Sequence, residues 1–262
     1  GMLTKLKIEN MIEQNKAQVA SVKEQQKAAE PKAVEIDPAL AAGFVAVAAG
    51  DGVQQLFRDL GVQQIVSGGQ TMNPSTEDIL HAAEQVPAMD VYVLPNNKNI
   101  VMAAEQAARL ARTSGVRRIH VVPTTTIPQG ISAMMAYDES AEIKDNVEAM
   151  QEAASRVQSG SVTFAARDSD YDGHQIKEGE LLALENGKVA FTGTDLGSVT
   201  AKVAKDLMRE DSQFITLLYG ADVSEEQAAD VEEAVRSLLP EDVELTVAYG
   251  GQPVYYFLIS VE

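Results

Sequence analysis

The 262-residue sequence contains no cysteine and no tryptophan, and only 5% of its residues are aromatic. The absence of cysteine excludes disulfide bonds and thiol chemistry, and it leaves any metal site to carboxylates and three histidines. Those histidines, His81, His120 and His174, lack the short spacing of paired zinc ligands. We therefore expect no metal site and no cofactor bound to the chain itself.

Long apolar runs and positive charge are also missing. No stretch approaches the roughly 18 apolar residues that a membrane span needs, and the amino terminus lacks the apolar run of a signal peptide. The 21 basic residues are outnumbered by 39 acidic ones, which gives a net charge of -18. Because this excess repels phosphate backbones and anionic headgroups, we expect a soluble cytoplasmic protein with no nucleic-acid partner and no membrane span.

The negative charge is concentrated in the second half of the chain. Residues 141–262 carry 24 acidic and nine basic residues, a net charge of -15, whereas residues 34–140 carry 11 and six. A partner with a basic surface would suit the acidic half, although acidic residues also serve simply to keep a domain soluble.

The chain divides into three predicted parts. Gly1 precedes Met2 as a tag remnant would, so we expect an expressed fragment. Residues 1–40 predict a helical tail of a preceding domain and a linker, residues 41–138 a parallel α/β lobe, and residues 139–262 a mixed α+β lobe.

The parallel lobe is predicted from a repeated order of apolar run, polar turn and helical pattern. Four apolar runs, residues 45–49, 64–67, 91–95 and 119–123, predict strands that are covered on both faces. Asn73 is the expected cap of the next helix, with Pro74 at its first position. A further helix follows Asn99 and ends at Gly115, and another spans residues 129–137.

The second lobe has a different order of elements. A charged helix over residues 141–158 leads to a strand over 161–166 and a hairpin over 180–193, for which Asn186-Gly187 is the turn signal. Helices are predicted over 197–210 and 225–239, and strands over 214–219, 243–248 and 254–261.

The loop over residues 67–76 follows the second predicted strand, at the sheet edge where open parallel sheets bind ligands. Its glycines allow close backbone approach, its hydroxyls offer hydrogen bonds, and a following helix presents free N–H groups to a carboxylate or phosphate. A tight strand-to-helix turn alone would also explain these residues. The candidate ligand-binding residues here are Ser67, Gly68, Gly69, Thr71, Asn73 and Ser75.

Two more polar loops follow the third and fourth strands and should converge on the same edge. Lys98 is the only cation in the three loops and could neutralise an acidic ligand, although an exposed lysine without such a role is more common. Asn97 or Asn99 could instead serve only as a helix cap. The candidates in these loops are Asn96, Asn97, Lys98, Asn99, Thr124, Thr125 and Gln129.

Other motifs give no catalytic centre. Residues 168–173 copy the first half of an EF-hand calcium loop, but Gly179 stands where the loop needs a glutamate, so we interpret the segment as a polar turn. The sequence has no nucleophile elbow, Walker loop or dinucleotide fingerprint.

Three long segments, SGGQTMNPSTEDIL, VLPNNKNIVMAAEQAA and VVPTTTIPQGISAMMAY, together resemble the C-terminal region of fatty-acid kinase A-subunits, a bacterial family related to dihydroxyacetone kinases. The resemblance continues through AARDSDYDGHQIKEGELLAL to the ending YGGQPVYYFLISVE. It implies a DegV-like fold with two lobes, without catalysis by this fragment. The full protein would use ATP and magnesium in a missing N-terminal domain to phosphorylate the carboxyl group of a fatty acid, and the product would feed phospholipid synthesis.

The resemblance also implies partners. A separate DegV-type B-subunit would carry the fatty acid, and the full-length protein is expected to form a homodimer through its middle domain. Ser67, Gly68 and Thr71 match the positions at which DegV-type binders fix an acyl carboxylate. We expect the fragment to dock the B-subunit. The alternative is direct binding of a fatty acid or phosphorylated ligand between the two lobes by Ser67, Thr71 and Asn97. A third hypothesis, an independent phosphatase, has only an older family label behind it.

Overall fold

The computed structural model describes residues 33–69, 73–171 and 174–262, in which twelve strands and seven helices are found. Residues Glu35–Glu262 form one compact unit. Most of the predicted helical tail, residues 1–32, lies outside the described residues, as does Thr71.

The first sheet is fully parallel, as predicted, and has the strand order β2-β1-β3-β4. Its strands are β1 (Gly43–Ala48), β2 (Gln64–Ser67), β3 (Asp90–Leu94) and β4 (Arg118–Val121), each within two residues of its predicted bounds. Strands β1 and β3 are buried at every position, since helices cover both faces of the sheet.

Five helices accompany this sheet: α1 (Asp51–Asp59), α2 (Thr76–Glu84), α3 (Lys98–Ser114), α4 (Ile127–Met135) and α5 (Ile143–Arg156). Helices α2 and α3 pack on one face, where Ile79 and Ile100 contact the valines of the strands. Helices α1, α4 and α5 pack on the other face, around Phe57 and Met150.

The predicted start of α2 is wrong. Ser75, not Asn73, caps the helix, because its hydroxyl accepts from the Asp78 backbone N–H and its own N–H donates to the Asp78 carboxylate at 2.7 Å. This capping box places Pro74 before the helix. Helix α3 ends as predicted at Gly115, whose φ of +70° is left-handed.

The second sheet is mixed, with the order β11-β10-β12-β5-β8-β9. Strands β10 and β11 are parallel and the other neighbours are antiparallel. Its strands and helices are β5 (Gln158–Phe164), β8 (Leu181–Glu185), β9 (Lys188–Gly193), β10 (Phe214–Tyr219), β11 (Glu244–Tyr249), β12 (Phe257–Val261), α6 (Leu196–Leu207) and α7 (Glu225–Arg236).

Several predictions in this region are confirmed and others need correction. Asn186 and Gly187 both have positive φ and form the β8–β9 turn. Helices α6 and α7 end three residues before their predicted ends. A small hairpin of β6 (Ser169–Tyr171) and β7 (His174–Ile176) replaces the predicted polar turn.

The two sheets meet through a shared core. Leu218 and the half-buried Leu258 of the second sheet join the cluster that contains Phe44 of the first sheet and Phe57 of α1. The sheets use separate stretches of the chain, 43–121 and 158–261. The domain boundary near Asp138 stays a prediction.

Candidate functional site

A cavity of about 480 Å³ lies at the carboxyl-terminal edge of the first sheet. This volume is within the range of roughly 300–1,000 Å³ that is typical of small-molecule sites. Loops that follow all four parallel strands line one side, and residues of the second sheet, including Ser159, Leu184 and Leu258, line the other.

The three polar loops converge on this cavity as expected. Eight of the predicted residues line it: Ser67, Gly68, Gly69, Asn96, Asn97, Lys98, Asn99 and Thr125. Four others, Asn73, Ser75, Thr124 and Gln129, are not among the residues that line it. The role of all these residues in binding stays a prediction.

The Asn96 side chain holds the loops of the site in place, because both its amide nitrogen and its amide oxygen form hydrogen bonds within the protein. Its Nδ2 donates to the Val47 carbonyl at 3.0 Å, and its Oδ1 accepts from the Thr124 hydroxyl at 2.8 Å. The Thr124 Oγ1 also accepts from the Asn96 backbone N–H. A Cβ on Gly130 would lie 2.1 Å from the Asn96 Oδ1, so only glycine fits beside this network. Asn96 therefore fixes the loops after β3 and β4 relative to each other and to β1.

Asn97 and Lys98 place the amino terminus of α3 at the cavity. Asn97 is buried and caps the helix, its Oδ1 accepting from the Asn99 N–H at 2.9 Å. Lys98 is the first helical residue and its side chain is exposed. The first N–H groups of a helix have no intrahelical acceptor and carry a partial positive charge.

Helix α4 also begins at the cavity. Thr126 caps it by accepting from the Gln129 N–H, while Thr125 donates its N–H and hydroxyl to the Gln129 side chain at 2.7 and 2.9 Å. Gln129 thus supports the loop and Thr125 faces the cavity. Helix α1 also begins beside the cavity, where Gly50 lines it, but its amino terminus is already engaged because the Val53 N–H donates to the Gly250 carbonyl.

Helix α2 differs because it supplies its own anion. The Ser75 N–H and hydroxyl donate to the Asp78 carboxylate and hold the pKa of Asp78 below its ordinary value. Its helix terminus is thereby neutralised.

The lining is electrostatically unusual for this chain. Among the 27 described residues that line the cavity, none is acidic and Lys98 is the one cation. The apolar part of the lining includes Ile127, Leu184 and Leu258. The cavity thus combines one cation and the amino termini of α3 and α4 with an apolar wall, which suits an anion that carries a hydrocarbon chain.

None of the residues predicted for the site lies on the wall that the second sheet contributes. Ser159 contacts the Thr126 hydroxyl at 2.7 Å, and its N–H donates to the Asn186 side chain at 3.1 Å. Gln252 and Val254 also line the cavity. Only the Asn186-Gly187 turn signal pointed towards this wall, because the other contacts join residues far apart in sequence.

The opposite edge of the first sheet holds a paired charge cluster. The buried Asp90 accepts two hydrogen bonds from the Arg118 guanidinium and contacts the His120 Nε2 at 2.8 Å. Burial raises the pKa of Asp90, but the hydrogen bonds from Arg118 and His120 outweigh it and lower the pKa overall.

The described residues contain no group of three histidine, aspartate or glutamate side chains that could hold a metal ion. In the EF-hand-like segment, the Asp168 Oδ1 accepts from the Glu178 backbone N–H at 2.7 Å. Across the described part of the chain, no helix is both long and apolar enough to cross a membrane.

The fold is that of DegV and dihydroxyacetone kinase domains. A DegV family protein from Corynebacterium glutamicum aligns with a TM-score of 0.61 at 14% identity, over 84% of this chain and 95% of that one. A fatty-acid-binding DegV family protein from Thermus thermophilus gives 0.55 at 16% identity, over 84% and 99%. The dihydroxyacetone kinase of C. freundii gives 0.60 at 14% identity, over 86% and 50%.

The chain belongs to the family of domains that are like the C-terminal part of the fatty acid kinase A-subunit, and the family match covers residues 43–262. An uncharacterized protein of Staphylococcus haemolyticus is 41% identical over the whole chain, and protein YloV of Bacillus subtilis is 39% identical. The chain spans 46% of the length of each of these relatives. The predicted family and fold are thus confirmed.

Proposed function

We propose that the cavity holds one fatty acid or its phosphorylated form. The anionic head would lie near Lys98 and the amino termini of α3 and α4, and the acyl chain would lie along the apolar wall. The observation that carries this proposal is that, in a chain of net charge -18, no acidic residue occurs among the described residues that line the cavity. Fatty-acid binding by a DegV family protein of the same fold supports it.

Binding of hexadecanoate to the purified chain, measured by calorimetry and native mass spectrometry, tests this proposal. Lys98→Ala should weaken binding by about fivefold to tenfold, because it removes a charge-assisted contact to the head group. Lys144→Ala is the matched control, since Lys144 is an exposed lysine that pairs with Glu148 on α5. Absence of binding by the unmodified chain, or an equal loss in both variants, would contradict the proposal.

Within the longer protein, this chain would be a non-catalytic part of a fatty-acid kinase. The described residues that line the cavity include no carboxylate to hold magnesium. We therefore assign ATP, magnesium and phosphoryl transfer to a part of the protein outside this chain. The whole protein would act in the cytoplasm as a homodimer, and its product would supply phospholipid synthesis.

A second candidate function is docking of a fatty-acid-binding B-subunit. Its support is the exposed acidic face of α7, which, with the net charge of -15 in residues 141–262, suits a basic partner surface. The face consists of Glu225, Glu226, Asp230, Glu232 and Glu233.

Calorimetric titration with the fatty-acid-loaded B-subunit, at low and moderate salt, tests docking. Binding should weaken with salt, and neutralising Glu225, Glu226 and Asp230 with amides should weaken it further. The control neutralises Glu35, Asp51 and Glu77, which are exposed acids of the first half. Salt-independent binding, or an equal effect of both triple variants, would argue against the acidic face.

A further inference from the structure

The cavity wall on the side of the second sheet contains a strained residue. Val254 has a φ of +74°, whereas the other described non-glycine residues with positive φ are Asn96 and Asn186. Asparagine tolerates the left-handed region, but a β-branched side chain clashes with its own backbone there. Val254 lines the cavity, so the strain lies at the proposed ligand site.

A second unfavourable group lies two residues away. Gln252 is 3% exposed and lines the same wall. Its Nε2 donates to the Leu218 carbonyl at 2.7 Å, but its Oε1 has no hydrogen-bond partner and is the one such buried side-chain atom among the described residues. A buried acceptor without a donor destabilises the folded state.

Contacts on both sides hold the segment in this conformation. The Val254 carbonyl accepts from the Thr163 hydroxyl at 2.6 Å, and the Gln252 carbonyl accepts from the Ala221 N–H at 3.1 Å. On the other side, the Val53 N–H of helix α1 donates to the Gly250 carbonyl at 2.9 Å. The surrounding structure therefore fixes a conformation that the segment alone would not favour.

We propose that residues 250–255 form a ligand-coupled wall, in which binding of the acyl ligand lets Val254 leave the left-handed region. The ligand then binds more tightly, because the backbone strain that raises the free energy of the unliganded protein is absent from the complex. This inference rests on the proposed binding of a fatty acid in the cavity.

Two substitutions at one position separate strain from side-chain contact. Val254→Ala and Val254→Gly both remove the apolar side chain, but only glycine adopts positive φ without cost. The free glycine variant should unfold at a higher temperature than the free alanine variant. Hexadecanoate should bind the alanine variant more tightly, by about fivefold to thirtyfold, because alanine still has strain to release.

Each result of the calorimetric comparison supports or overturns the inference. Tighter binding by the alanine variant supports it. Equal affinities, tighter binding by the glycine variant, or a glycine variant no more stable than the alanine variant would overturn it while fatty-acid binding itself stands. If the unmodified chain does not bind hexadecanoate, both this inference and the proposed function fail.

Discussion

The two edges of the first sheet treat their polar groups in opposite ways. At the amino-terminal edge, Asp90 forms an ion pair with Arg118 and a hydrogen bond with His120, and the buried Arg117 donates to backbone carbonyls. At the carboxyl-terminal edge, Lys98 lies at the start of α3, and none of the cavity-lining residues that the structure describes is acidic. The charged groups of the amino-terminal edge thus pair with one another or with backbone carbonyls. At the carboxyl-terminal edge, Lys98 and the start of α3 are left available to a ligand.

This contrast gives a general expectation. Substitutions at the amino-terminal edge should change the free energy of unfolding with little effect on ligand binding, and Lys98→Ala should do the reverse. The same sheet then separates a stabilising edge from a binding edge, as is common in open parallel sheets.

The largest loss of stability should come from Gly52→Ala. This variant tests whether a residue at the binding edge can also be essential for the stability of the fold. Gly52 lies at the binding edge but is structural, because a Cβ there would lie 2.0 Å from the Tyr249 carbonyl oxygen. The backbone of α1 or β11 would have to move, so we expect a loss of about 3 kcal/mol in the free energy of unfolding, measured by urea denaturation.

Gly197→Ala is the matched control, since both glycines are the second residue of a helix. A Cβ on Gly197 would meet the Ala234 Cβ at 3.3 Å, a contact that a shift of a few tenths of an ångström between α6 and α7 relieves. Alanine also has the better helix propensity, so the change should stay within about 1 kcal/mol. Equal losses in the two variants would show that the approach of Gly52 to Tyr249 is unimportant.

Arg117→Met should have the next largest effect and should leave binding unchanged. The guanidinium donates to the Val86 carbonyl at 3.0 Å and the Glu84 carbonyl at 3.1 Å, at the end of α2. Methionine keeps much of the volume but leaves buried carbonyls without donors, which costs about 2–3 kcal/mol. Urea denaturation measures the loss, and a hexadecanoate affinity that fell in parallel would break the separation of the two edges.

Asp90→Asn should destabilise the protein by about 1–2 kcal/mol at neutral pH. Because the folded-state pKa of Asp90 is lowered, its stabilisation is present above the ordinary carboxyl pKa and is lost as pH falls towards the folded-state pKa. The difference between Asp90→Asn and the unmodified chain should therefore shrink as pH falls below about 4. Denaturation at neutral and acidic pH checks this, and a pH-independent difference would exclude the ion pair as its cause.

The sequence predicted those strands and helices whose ends are set by neighbouring residues. Strands β2 and β10 have their predicted bounds because apolar runs end at polar turns. Helix α1 was missed, since Gly50 gives it no side-chain cap. The start of α2 was misplaced although the Ser75 to Asp78 capping box was present in the sequence.

The candidate site was predictable only on one wall. Loops after parallel strands meet at one edge by topology, so Asn97 and Lys98 could be placed there from the sequence. The opposite wall depends on contacts such as Thr126 with Ser159 and Gln252 with Leu218, which are 33 and 34 residues apart. No local pattern encodes such pairings, and the left-handed Val254 likewise shortened the predicted last strand to Phe257–Val261.

Asn186→Gly should have the smallest effect on the free energy of unfolding. It extends the comparison to the cavity wall that the second sheet forms. The Asn186 side chain accepts from the Ser159 N–H and donates to the Gln158 side chain, which ties the β8–β9 turn to β5. Glycine preserves the positive φ but loses these bonds, so stability should fall by about 1 kcal/mol. Asn186→Ala loses the same bonds and adds backbone strain, so it should cost more in the same urea titration. If the two variants are equally stable, the turn relaxes without its left-handed residue, and this wall is more adaptable than the network around Asn96.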